Sequence, residues 1–147
     1  KAAVALLGVL VTLNIRYSNI LYLKADVMQT QMISYYTTLI TRIESIEGYT
    51  EDAQVVYIGE YDKHDKNLVG ISEYFDDLDL ATYKGEPIFN DYAWKEAMEF
   101  WCGFAPELGD AAEFDGNAEV ASMPCYPDQG SIRCINGKIV VKFADEP

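Results

Sequence analysis

The sequence predicts an α/β (α+β) fold, in which a long N-terminal helix packs on a small mixed sheet of three or four strands ending in a C-terminal β-hairpin. Three observations predict it. Between residues 19 and 46, apolar residues recur in steps of three and four, the spacing of one buried stripe on a long helix. Residues 54–59 (QVVYIG) are β-branched and aromatic, as in a strand. The pair Asn136-Gly137 separates two strand-like runs and favours a type I′ turn.

The helix begins with an uncharged stretch, residues 2–13. As a helix, it would rise about 18 Å, which is short of the roughly 30 Å of a bilayer's hydrocarbon core. We therefore expect residues 1–18 to be the end of a truncated membrane-spanning or apolar helix, and residues 19–147 to form a single soluble α/β domain. We expect the helix to end near Glu47-Gly48. Its buried stripe is predicted at Ile20, Leu23, Val27, Met28, Met32, Tyr36, Leu39, Ile40 and Ile43.

The elements after the helix are shorter. The strand at residues 54–59 is almost entirely apolar, so it is predicted to be a central strand covered on both faces. A second helix is predicted over residues 92–102, capped by Asn90 or Asp91 and ended by Gly103. Its inward side is predicted to comprise Ala93, Ala97, Phe100, Trp101 and Phe104.

The last third of the chain predicts a short helical turn and the hairpin. Asn117 can cap one turn of helix over residues 118–122, before Pro124. In the hairpin, residues 131–135 and 138–143 alternate, and we expect Ile139, Val141 and Phe143 to face the core.

Charge divides the chain into two unlike parts. The total net charge is −13, yet residues 1–50 have a net charge of +1 and the remainder carries −14. An acidic domain repels phosphate backbones, so nucleic acid is excluded as a partner. The same charge keeps a domain soluble beside an apolar neighbour, which agrees with tethering at a membrane. The charged residues before position 50 are Lys1, Arg16, Lys24, Arg42, Asp26, Glu44 and Glu47.

No residue pattern indicates a catalytic, cofactor-binding or metal site. His64 is the sole histidine, and we expect it in a solvated loop. Carboxylates could form a glycosidase pair or a calcium site, but neither acidic cluster has calcium-loop spacing, and we predict solvated surfaces. These clusters comprise Asp76, Asp77 and Asp79, and then Glu107, Asp110, Glu113, Asp115 and Glu119.

Cysteines and aromatic residues leave alternatives open. Cys125 and Cys134 could form a disulfide in an oxidising compartment, or these two and Cys102 could be small buried thiols. Tyr17 and Tyr22 fit either an interfacial belt or packing against the sheet. A sugar-stacking platform at Tyr92, Trp94 and Trp101 competes with a buried helix.

Three segments resemble one known family. Residues 19–23 (NILYL), residues 55–59 (VVYIG) and the region from Met123-Pro-Cys-Tyr-Pro127 to Val140-Val-Lys142 resemble the C-terminal part of polytopic bacterial membrane glucosyltransferases of the O-antigen-modifying type. The resemblance implies a small extracytoplasmic α/β domain after the last membrane helix. Its role would be structural, or recognition of acceptor polysaccharide, and the catalytic acids would lie in earlier loops of the parent enzyme.

Two further hypotheses remain. The chain could be a membrane-anchored or pilin-like binding and assembly module, because pilin-type chains share a long leading helix and a C-terminal sheet. A soluble enzyme with paired acids is the third hypothesis. Arg16 and Lys24 lie between the apolar run and the domain. Positive residues beside a membrane helix favour the cytoplasmic side, so they predict a cytoplasmic domain. The glucosyltransferase resemblance implies the opposite side.

Overall fold

The computed structural model describes residues 1–59 and 93–145 of the chain. Its largest element is helix α1, Ala2–Glu44, with 43 residues. At 1.5 Å per residue, such a helix is about 65 Å long. After Glu44 the chain turns and passes through Gly48, whose φ is +92°. The predicted long helix is thus confirmed, and it ends about one turn before the predicted Glu47-Gly48.

The two halves of α1 differ in burial. Every large apolar residue from Val4 to Ile15 is at least half exposed. Toward the other end, five positions of the predicted stripe are buried: Met32, Tyr36, Leu39, Ile40 and Ile43. Between these two regions, Ile20 and Val27 are half-buried and Leu23 is exposed, while the side chain of Met28 lies outside the described residues. Continuous burial of the helix therefore begins at Met32.

The predicted small mixed sheet is confirmed, with three strands: β1 (Val55–Ile58), β2 (Ile132–Ile135) and β3 (Lys138–Lys142). The spatial order is β1-β3-β2, with β1 parallel and β2 antiparallel to β3. The prediction that β1 is the central strand is wrong, because β3 lies between the other two. The free edge of β1 is covered by a short segment: the Val55 amide donates to Glu107 O at 2.8 Å, and the Gly109 amide donates to Val55 O at 3.0 Å.

Both faces of the sheet are covered, as the apolarity of β1 predicted. Val55 and Val56 point to opposite faces and are fully buried. On one face, α1 and helix α2 (Ala93–Cys102) pack on Val55, Ile132, Ile139, Val141 and Phe143. On the other, the 3-10 helix Ala111–Phe114 and helix α3 (Ala118–Ala121) form a second core with Val56, Phe114, Val120, Met123, Ile135 and Val140. Burial of both faces explains why β3 is buried along most of its length.

The hairpin and the α3 cap match their predictions. Asn136 and Gly137 have φ of +54° and +78°, the positive values that a type I′ turn requires. Ile139, Val141 and Phe143 face α1, as expected. The side chain of Asn117 accepts hydrogen bonds from the amides of Glu119 and Val120, which caps α3.

Helix α2 buries part of its predicted inward side and leaves the rest exposed. Ala97, Met98 and Phe104 are buried, but Phe100 is 77% exposed and Trp101 is 45% exposed. Successive helical residues are 100° apart, so burying Met98 against α1 turns Phe100 to the opposite side. Phe100 and Trp101 instead contact each other edge to face, with centroids 4.9 Å apart. The predicted caps Asn90 and Asp91 lie outside the described residues.

Two glycine substitutions should separate backbone strain from steric clash. Gly137→Ala adds a Cβ that meets nothing within 4 Å, so its cost is the positive φ alone, about 1–2 kcal/mol. Gly59→Ala has a similar φ of +76° but places Cβ 2.7 Å from the Ala144 backbone nitrogen. We expect the loss of unfolding free energy at Gly59 to exceed that at Gly137 by about 1–3 kcal/mol in urea titrations. Equal losses would contradict the close contact between Gly59 and Ala144.

Candidate functional site

Most of the exposed large apolar side chains in the described residues lie on the N-terminal part of α1. We call residues 2–15 the apolar arm. Val9, Leu10 and Val11 are each at least half exposed, and because successive residues are 100° apart they point in three directions. No charged residue lies between Lys1 and Arg16. A helix that is apolar all round needs an apolar environment.

The length and composition of α1 are those of a membrane-spanning helix. The core helix of a soluble protein or a signal sequence can have the same composition. Core helices are buried, whereas none of the most apolar window of α1 is buried within the protein. The arm also continues without a break into Leu39 and Ile43, which lie in the domain core.

Tyr17 and Tyr22 follow the arm on the same helix. Tyr22 is 76% exposed and Tyr17 is half-buried. Packing against the sheet, the alternative to an interfacial belt, therefore does not account for Tyr22. Tyr36, by contrast, is a core residue of the domain.

A groove with both polar and aromatic side chains lies between α1 and the segment Tyr126-Pro127. We call it the α1 groove; its volume is about 380 Å³ and its lining comprises Gln31, Ser34, Tyr35, Thr38, Arg42, Tyr126 and Pro127. Arg42 Nη1 donates to Pro127 O at 2.6 Å, and Nη2 donates to Asp128 O at 2.9 Å. The guanidinium carbon also lies 4.9 Å from the centroid of the Tyr126 ring. These contacts fix the plane of the guanidinium at the groove. Sequence reasoning missed the groove, because it joins positions 85 residues apart.

A second fixed cation is Lys142, which is only 2% exposed. Its ammonium donates to the carbonyls that end α3: Met123 O at 2.9 Å, Val120 O at 3.2 Å and Ala121 O at 3.4 Å. It also forms an ion pair with Asp145 Oδ1 at 2.7 Å. This arrangement ties β3 to α3. Since the donors of the ammonium are engaged, Lys142 has a structural role.

The second predicted acidic cluster contains carboxylates that support the local structure. Glu107 accepts a hydrogen bond from Gln54 Nε2 at 2.6 Å, Asp110 caps the 3-10 helix through the Ala112 amide, and Glu113 pairs with Lys138. Asp115 and Glu119 are exposed. Within residues 1–59 and 93–145, no three acidic, histidine or cysteine side chains gather as a metal site would require. His64, Asp76, Asp77 and Asp79 lie outside the described residues.

All three cysteines are half-buried free thiols. Cys134 lies opposite Ile139, whereas the residue after Cys125, Tyr126, hydrogen-bonds Lys142 O at 2.7 Å. Three residues of strand separate those positions, which is about 10 Å and beyond disulfide reach. The disulfide alternative is therefore not realised. Burial raises the pKa of the Cys125 thiol, and the nearby Asp145 carboxylate raises it further.

The predicted sugar-stacking platform is tested at one position only. Tyr92 and the side chain of Trp94 lie outside the described residues, and Trp101 is partly exposed beside Phe100. The described part of the chain therefore presents two candidate features: the apolar arm, and the α1 groove with its fixed guanidinium. No family model, curated protein or solved structure matches the chain significantly, so membership of the glucosyltransferase family stays a prediction.

Proposed function

We propose that the protein is a membrane-anchored module, in which the apolar arm lies in the bilayer and the acidic α/β domain is displayed outside it. One observation supports the proposal most directly. The single helix α1 is apolar and exposed in its first half, and its second half packs in the domain core. The glucosyltransferase resemblance adds the expectation that the domain is extracytoplasmic and non-catalytic, with a structural or acceptor-recognition role.

The intervening part of α1 would act as a stalk. From Ile15 to Met32 the helix rises about 25 Å. Tyr17 and Tyr22, at the start of this part, would lie near the headgroups, where amphipathic rings are favoured. The domain beyond the stalk is strongly acidic, so anionic lipids would repel it and keep it away from the bilayer surface. A displayed domain of this kind suits binding or assembly at the surface.

A second candidate is a pilin-like subunit, whose apolar arm would pack against the arms of other copies. The observation that favours it is the same continuity of α1, because a stiff shared helix transmits the position of each arm to its domain. In a pilin-like assembly, the apolar arm is surrounded by the arms of other copies as well as by lipid. The two candidates differ in oligomeric state.

Flotation of the full chain with phosphatidylcholine vesicles tests the anchor. The variant Leu7→Arg/Leu10→Arg changes two exposed positions of the arm and leaves the domain core untouched. A central arginine costs about 2.5–3.5 kcal/mol on insertion, so two arginines cost about 5–7 kcal/mol, and we expect membrane partitioning to fall by more than about a thousandfold. The control Thr30→Arg/Thr37→Arg alters exposed positions beyond the arm and should float like the wild type.

Two outcomes would change this assignment. If the wild type remains with the lipid-free fractions as a monomer, the anchor proposal is wrong. If it sediments as a large homo-oligomer that the two arginines in the arm dissociate, the pilin-like candidate replaces it.

A further inference from the structure

We propose that the α1 groove is a binding site for an acidic saccharide, with Arg42 binding a sugar carboxylate of the uronic-acid type. The juxtaposition that carries this inference is a fixed guanidinium beside a row of hydroxyl and amide side chains. It is independent of the anchor, because no residue of the apolar arm lines the groove.

The charge of Arg42 is the first argument. Its two contacts within the loop are to neutral carbonyl oxygens of Pro127 and Asp128. A guanidinium has five N–H donors, so most remain for another acceptor. In the described part of the chain, no carboxylate lies within ion-pair distance of Arg42, whereas Lys138 and Lys142 each have one. A guanidinium held in place by neutral carbonyls and not paired with a carboxylate of residues 1–59 or 93–145 suits a planar carboxylate, which it can bind through two parallel hydrogen bonds.

The rest of the lining is the second argument. Gln31, Ser34 and Thr38 follow one another at helical intervals of three and four, so they form a polar row along one side of α1 that leads to Arg42. An amide and two hydroxyls offer both donors and acceptors, which matches the hydroxyl groups of a sugar. The volume of about 380 Å³ falls within the range of small-ligand pockets.

The net negative charge of the protein favours small anionic ligands over polyanions. At a net charge of −13, the protein repels polyanions such as nucleic acid at long range. A short uronic-acid oligosaccharide carries far fewer charges than a polyanion and presents one carboxylate to Arg42, so it meets less of this long-range repulsion and still gains the short-range pairing.

Titration of the ¹⁵N-labelled full chain in micelles with trigalacturonate tests the site by NMR. We expect saturable amide shifts centred on Ser34, Thr38 and Asp128. Maltotriose, the neutral trisaccharide probe, should bind at least about tenfold more weakly than trigalacturonate.

Two neighbouring threonines provide a matched pair of variants. Thr37 and Thr38 are both exposed, and each hydroxyl donates to the carbonyl four residues earlier, at 2.7 and 2.9 Å. Only Thr38 lines the groove. Thr38→Phe should therefore weaken trigalacturonate binding by at least about tenfold, while Thr37→Phe leaves it unchanged. Neither threonine is buried, so neither substitution removes a core contact, whereas Arg42→Gln would also remove the hydrogen bonds that Arg42 donates to Pro127 O and Asp128 O.

Three results would overturn the proposal. The first is the absence of groove shifts with trigalacturonate at tens of millimolar. The second is equal binding of acetate or of a short hydrophilic peptide, which would reveal a simple carboxylate or peptide site. The third is an equal response of the Thr37→Phe and Thr38→Phe variants.

Discussion

Truncation of Leu39 to alanine is expected to lower the unfolding free energy of the domain by about 3 kcal/mol, whereas the same truncation at Leu10 leaves it unchanged. Both leucines belong to α1, but Leu39 is fully buried and Leu10 is 55% exposed. Leu39→Ala removes packed methyl groups and leaves a cavity between the helix and the sheet. Leu10→Ala removes methyl groups that contact no other part of the described domain.

Urea titration of the full chain in a mild detergent measures this difference, with tryptophan fluorescence as the probe. Equal losses for the two variants would mean that the apolar arm packs in the domain core. A loss below about 1 kcal/mol for Leu39→Ala would remove α1 from that core. In the flotation assay the roles reverse: Leu10→Ala should weaken membrane association slightly, and Leu39→Ala should not affect it.

The features predicted correctly from sequence are those with local signals. The spacing of apolar residues from Met32 to Ile43 predicts both the helix and its buried side, since helical geometry depends on neighbouring residues only. The hairpin is predicted by Asn136-Gly137, because two consecutive positive φ angles restrict the residue types at this turn. Asn117 likewise caps its own helix within three residues.

The errors concern partners that are distant in sequence. Apolarity of β1 predicts burial on both faces, which is correct, but strand order depends on pairing with β3 about 80 residues later. The predicted inward side of α2 is correct at Ala97 but wrong at Phe100 and Trp101, because a ten-residue helix with apolar residues on several sides does not define one face. Contact with α1 buries Ala97 and Met98 and leaves Phe100 and Trp101 exposed.

The sequence does not predict the contacts that Arg42 and Lys142 make. Arg42 follows the pattern of a solvated helical residue, and its loop partners are 85 and 86 residues away. Lys142 ends a strand of alternating residues, where an exposed lysine is the usual expectation. Its burial follows from α3 covering the second face of the sheet, and the acceptors are backbone carbonyls, which every sequence has.

Replacement of Lys142 by methionine is expected to cost about 3 kcal/mol of unfolding free energy. Methionine keeps the apolar stem but has no donor, so the carbonyl oxygens of Val120 and Met123 lose a charged partner in a buried position. Hydrogen bonds from charged groups contribute about 1.5–3 kcal/mol, and a buried carbonyl left without a donor adds a further penalty. The matched control is Lys138→Met on the same strand, whose side chain pairs with the half-exposed Glu113; its loss should stay below about 1 kcal/mol.

A third variant separates the two kinds of partner that Lys142 has. Asp145 is 82% exposed, so its carboxylate regains water when the pair is broken, and Asp145→Asn should cost less than about 1 kcal/mol. If the carbonyls at the end of α3 are the main partners, the loss for Lys142→Met greatly exceeds that for Asp145→Asn and changes little between low and high salt. If both variants lose the same unfolding free energy and high salt removes that loss, the ion pair with Asp145 is the main interaction of Lys142. In that case only the apolar contacts of Val120 and Met123 hold α3 to β3.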